Sequence, residues 1–237
     1  MAPTLVASRT ALPPKPIRGF TLIELLVAIG VMALMAGLSW RGIDGMVRTQ
    51  HQLQQRADQV MRLQAGLAQW TADLDALVQV PNTQALDWDG RALRITRRSS
   101  TAPGDGLLVV AWTRRYEQGA GQWLRWQSAP VATRAQLQAA WATAAHWAQN
   151  PGDAEKASEV KVHALDQWKV FYFRSDAWTN PLSSDGAAPR PTGEKPPGPD
   201  LTLPDGVRLV LTLPADAAVS GILTRDWVRL ALGGGKS

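Results

Sequence analysis

Three histidines, His51, His146 and His163, are the side chains best suited to metal binding or proton transfer. No two of them stand at the i, i+4 spacing of a helical ligand pair. His51 falls on the polar face of an expected helix and His146 stands beside Trp147 on a short one, so all three read as surface or packing residues. The absence of cysteine excludes disulfides, thiolate nucleophiles and cysteine-based metal sites. No G-x-S-x-G or H-E-x-x-H string occurs. Residues 233–237 (GGGKS) look like the end of a phosphate-binding loop but lack the earlier glycine and the helix that must follow, which leaves a flexible tail. Asp73 and Asp75 lie two apart on an expected helix and therefore face different ways. The string Asp87-Trp88-Asp89-Gly90 is too short for an EF-hand loop, and a calcium site assembled from loop carboxylates and carbonyls has no motif in its favour. The expectation is a protein that is not an enzyme, with no catalytic residue, cofactor or metal.

One titratable group is out of place. Glu24 lies inside residues 20–38 (FTLIELLVAIGVMALMAGL), a run that is otherwise without charge. As a helix these residues span roughly 28 Å, close to the hydrocarbon thickness of a bilayer. Lys15 and Arg18 ahead of the run keep the N-terminus in the cytoplasm, which sends everything after about residue 40 to the periplasm. A secretory signal peptide would need a small-x-small cleavage site beyond the run, and Ser39-Trp40-Arg41-Gly42 is a poor one. A plain signal anchor leaves Glu24 unexplained, because an ionised carboxylate near one end of a membrane helix costs about 2–3 kcal/mol. Such a group needs a partner.

The elements around it follow from periodicity. Residues 1–19 are polar, basic and proline-containing, a cytoplasmic leader. Residues 20–40 form the transmembrane part of a long helix. Residues 41–80 continue it as an amphipathic segment. There Leu53, Ala57, Val60, Gln64, Leu67, Thr71, Leu74 and Val78 follow a 4-3-4-3 spacing, widened by Met46, Leu63, Trp70 and Leu77, with Gln, Arg and Asp on the other face. Gly42 and Gly45 weaken the helix locally, and Pro81-Asn82 ends it. A packed stem is preferred over a separate coiled-coil stalk because the stripe is short and a domain follows at once.

Residues 81–237 read as a periplasmic, β-rich domain. Strands are expected around Leu93 and Ile95, over 106–112 and 122–127 with a hairpin loop at 116–121, over 168–173, 207–213 and 221–232. A helix is expected over 133–149, with Thr133 as N-cap and Leu137, Trp141, Ala144 and Ala148 on one face. Residues 181–200, with six prolines and three glycines, form an irregular loop. The fold class is α+β, with antiparallel sheet packed on the stem helix. Eleven tryptophans against two tyrosines and three phenylalanines point to indole rings as anchors of a core or interface. The net charge of +5 is partly carried by Arg9, Lys15 and Arg18 in the leader, and Arg97–Arg98 and Arg114–Arg115 read as solvated positions. Nucleic-acid binding, which needs a dense basic patch, is therefore not expected.

Residues 18–27 (RGFTLIELLV) resemble the class III signal of type IV prepilins and type II secretion pseudopilins. The resemblance implies cleavage between Gly19 and Phe20 by a prepilin peptidase on the cytoplasmic side, and N-methylation of Phe20. It makes Glu24 the fifth mature residue. Glu24 then acts as a register device for assembly, meeting the free amine of a neighbouring subunit, an attraction that offsets desolvation only when the two charges touch. Further along, residues 40–44 (WRGID), 107–112, 121–125, 170–173 with Trp178, 203–209 and 222–225 are similar to segments of the J-type minor pseudopilins of type II secretion. That likeness implies a single-pass inner-membrane subunit near the tip of a periplasmic pseudopilus that helps start its assembly. Its implied partners are I-type, K-type and H-type minor pseudopilins, the major pseudopilin and the inner-membrane assembly platform. Two alternatives stay open: a minor pilin of a type IV pilus or DNA-uptake system, and a membrane-anchored periplasmic enzyme or chaperone.

Overall fold

The computed structural model describes residues 19–99, 104, 106–182 and 203–229. The leader up to residue 18, residues 183–200 of the proline-rich loop and the 233–237 tail lie outside the described residues. The chain divides into two units, Met1–Leu53 and Gln54–Ser237, and helix α1 (Leu22–Asp75) contributes to both.

In the first unit, α1 is apolar enough and long enough to cross a membrane, and the apolar window is entirely unburied. Phe20, Leu22, Leu34 and Leu38 all face outward. In the second unit the last part of α1 meets two antiparallel sheets. The first has the order β1 (Leu86–Trp88), β2 (Ala92–Arg98), β3 (Leu107–Glu117), β4 (Ala120–Gln127), β5 (Glu159–Ala164). The second has the order β7 (Ala177–Thr179), β6 (Gln167–Arg174), β8 (Gly206–Leu213), β9 (Gly221–Val228). Helices α2 (Arg134–Gln149) and α3 (Asp153–Ala157) sit between β4 and β5 in the chain. The α+β expectation holds; the sheet, however, is two sheets.

The first sheet is covered on both faces. Val110, Trp112 and Trp123 join Leu63, Trp70 and Leu74 of α1, and Val207, Leu209 and Trp227 of the second sheet, in one core. Val109, Ala111, Leu124 and Trp126 point the other way, onto Leu137, Ala144 and Trp147 of α2. Two-sided burial explains why residues 107–112 run apolar without alternating. The β3–β4 hairpin closes through Gln118-Gly119, both at positive φ, the two-residue turn whose twist suits a hairpin. Thr133 caps α2: its hydroxyl accepts from Gln136 N at 3.2 Å, and Gln136 Oε1 accepts from Thr133 N at 3.1 Å, a reciprocal capping box.

Helix α1 ends at Asp75, not near Val80 as its periodicity predicts. Residues 76–78 leave the helix to extend along the β2 edge. Val78 N donates to Thr96 O, and Arg98 N donates to Ala76 O, each at 2.9 Å. Leu77 and Val78 suit a strand as well as a helix, and a short apolar run cannot tell the two apart. The buried face of the helix also differs from the expected stripe. It comprises Leu63, Gly66, Trp70, Asp73 and Leu74, while Met46, Leu53, Ala57 and Gln64 are exposed.

Candidate functional site

The N-terminal turn of α1 is built by Thr21 and Glu24. Glu24 Oε2 accepts from Thr21 N at 2.9 Å and from Thr21 Oγ1 at 2.8 Å, and Glu24 N donates back to Thr21 Oγ1 at 3.4 Å. This is a capping box, and it places a carboxylate at the positive end of the helix dipole. The sequence reading missed it, although Thr-x-x-Glu before an apolar run is its signal. The carboxylate of Glu24 is therefore bonded within its own chain, through one oxygen. Gly19 and Phe20, just ahead, are both exposed, and a Cβ added at Gly19 would meet nothing within 4 Å. Trp40 is the one exposed tryptophan among the eleven, 75% accessible at the end of the apolar run, beside Arg41. An aromatic ring with a basic neighbour suits the membrane–water boundary.

The other end of α1 carries a second polar site, buried in the Gln54–Ser237 unit. Asp73 is fully buried and accepts five hydrogen bonds. Gln69 Nε2 donates at 2.9 Å from the same helix. Arg97 of β2 donates through Nη1, and Trp112 of β3 donates through Nε1 at 2.8 Å. Arg125 of β4 donates through Nε at 2.8 Å and Nη2 at 2.9 Å. Asp75 faces elsewhere, as its spacing requires, and accepts from Trp227 Nε1 of β9 at 2.7 Å. Next to this site Gly66 allows the helix to approach the sheet: a Cβ there would come within 2.1 Å of Val162 Cγ1. Asp73 was expected on the polar face, and Arg97 as a solvated residue; both are buried.

Arg115 is also no free surface charge. It bridges Glu159 of β5 at 2.7 Å and Glu117 at 2.5 Å, and Trp147 of α2 donates its indole N–H to Glu159 at 2.8 Å. Lys161 adds a bond to Glu117 at 2.5 Å. Burial pushes the Glu117 carboxyl up, but hydrogen bonds from Lys161 and Arg115 outweigh it and hold the group below its ordinary value. Arg114 donates to Leu165 O at 2.9 Å and lies over the Tyr116 ring.

The histidines are not brought together. His51 and His146 are exposed, and His163 is buried, its Nδ1 donating to Ala164 O at 2.8 Å. Among the described residues no group of three or more His, Asp or Glu side chains is placed to hold a metal. Asp87 and Asp89 both pair with Arg94, whose guanidinium offsets one of their two charges.

Residues 14–40 match the model of the prokaryotic N-terminal methylation motif. The comparison with curated proteins gave no match. The motif match and a long N-terminal helix whose end packs on an antiparallel domain support a type IV prepilin-like or pseudopilin-like protein, with membrane anchoring near the N-terminus.

Proposed function

We propose that this chain is a minor pseudopilin of a type II secretion system, most similar to the J-type. It is a structural subunit rather than a catalyst. The prepilin peptidase cuts between Gly19 and Phe20 and methylates Phe20. The mature helix stays in the inner membrane, with the domain in the periplasm. There the subunit joins I-, K- and H-type minor pseudopilins and the major pseudopilin, on the assembly platform, to start a short pseudopilus.

The observation that carries this reading is a single carboxylate in an otherwise uncharged membrane helix, four residues after Phe20, within the matched methylation motif. A capped Glu24 supports it further. Thr21 occupies one carboxylate oxygen, and the other remains for a neighbour's amine. In low dielectric that contact is worth enough to select register. Glu24→Ala should therefore insert into the membrane as the wild type does, while co-purification with the other pilin-like subunits of the same system is lost. Unchanged co-purification of the variant would overturn the assembly role. Recovery of the chain with secretion subunits, rather than with sheared pili, distinguishes this reading from a type IV pilus.

A further inference from the structure

The last turn of α1 holds two acids, Asp73 and Asp75, and no base. Carboxylates there oppose the negative end of the helix dipole, so local helix energetics argue against both. A local rule broken in this way calls for a tertiary reason. Asp73 supplies one by binding three adjacent strands through Arg97, Trp112 and Arg125, and Asp75 by binding Trp227 on the other sheet.

We infer that the Asp73 cluster is a register lock: it fixes the axial position and rotation of the last turns of α1 on the two sheets, and adds little net stability. The apolar stripe does this only weakly, and Gly66, whose missing Cβ admits Val162, is the packing feature that also opposes a slip. Leu63, Leu67, Trp70 and Leu74 repeat at steps of four and three, so a slip of one turn, about 5.4 Å, still offers the sheet an apolar side chain. The same slip would strand the Asp73 carboxylate away from Arg97 and Arg125 inside the core, where a buried charge needs such partners. Buried ion clusters exchanged whole for apolar residues are often neutral for stability, and register is their best-attested use. The inference concerns the Gln54–Ser237 unit and stands independently of the secretion reading.

Gly66 and Val162 provide the reporter. A Cβ built on Gly66 lies 3.6 Å from Val162 Cβ, within the span of a disulfide, and the chain has no other cysteine to interfere. The full-length chain in detergent would carry Gly66→Cys with Val162→Cys. A second version would add Asp73→Leu, Arg97→Met, Arg125→Leu and Trp112→Phe. A third would move the helical cysteine back one turn, as Arg62→Cys with Val162→Cys, on both backgrounds. With the cluster intact the first pair should oxidise fast and the shifted pair slowly. With the cluster replaced, the protein should keep its circular dichroism and urea midpoint, the first pair should slow several-fold, and the shifted pair should gain. Equal rates and selectivity on both backgrounds would overturn the inference, because packing would then set the register. Failure of the replaced cluster to fold would overturn it too, by making the cluster a stabiliser.

Discussion

Glu24 and Asp73 are both carboxylates on one helix, and each is held by a different device. Glu24 is bonded by its own first turn, through Thr21. Asp73 is bonded mainly by other elements, through two guanidinium groups and an indole, with Gln69 of its own helix as a fourth partner. Removing one partner from a buried ionic cluster typically costs about 3–5 kcal/mol, because the remaining charges stay buried. A domain of this size has about 5–15 kcal/mol in all. Asp73→Ala should therefore lower the urea midpoint severely, because it removes the carboxylate that Arg97 and Arg125 share; a midpoint within error of wild type would contradict the bond set described. Glu24 was legible in the sequence because a charge in an apolar run has no ordinary explanation. Asp73 was not, because an acid among Gln, Arg and Asp on an amphipathic helix has the same pattern whether it faces water or a core. Its place in the last helical turn, where the dipole disfavours it by about 0.3–1 kcal/mol, was hidden as well, because the periodicity carries the helix on to about Val80 while it ends at Asp75.

Among the elements, α2 is held on the first sheet by an apolar face and by one charged corner. Trp147 stacks on Trp126 at 6.3 Å and donates to Glu159, which shares Arg115 with Glu117. The Glu117 carboxyl titrates below its ordinary value in the fold. Its contribution is therefore complete above the unfolded carboxylate range, and is lost as pH falls through the lower folded value. Glu117→Gln should show a smaller drop in urea midpoint between about pH 7 and about pH 3 than the wild type. An equal drop would place the acid sensitivity elsewhere. Helix α2 itself was readable from Thr133, the apolar face and Asn150-Pro151. Strand β7 was not, because three residues give periodicity too little to work on; β5, Glu-Val-Lys-Val-His-Ala, does alternate polar and apolar residues, a strand signal that the sequence reading missed. The split into two sheets was equally hidden, since strand pairing is decided by contacts far apart in sequence.

The whole chain is two units with different solvents. Among the described residues the first exposes its apolar side chains, and the second buries nineteen residues in one core and eleven in another. Seven tryptophans are buried, three are half-buried, and Trp40 alone is exposed. A chain from Gln54 onward should therefore be soluble and unfold in one cooperative step followed by tryptophan fluorescence, whereas aggregation or a gradual change would mean that the domain depends on the preceding helix. The bilayer-length apolar run and the tryptophan-rich, strand-patterned remainder are bulk properties legible in the sequence, whereas the division between Leu53 and Gln54 falls inside the 41–80 segment and was not.

The account rests on the first mature residue. Mass spectrometry of the protein recovered from membranes should find a chain beginning at Phe20, with one methyl group on its amine. A chain beginning at Met1, or at any residue other than Phe20, would contradict it.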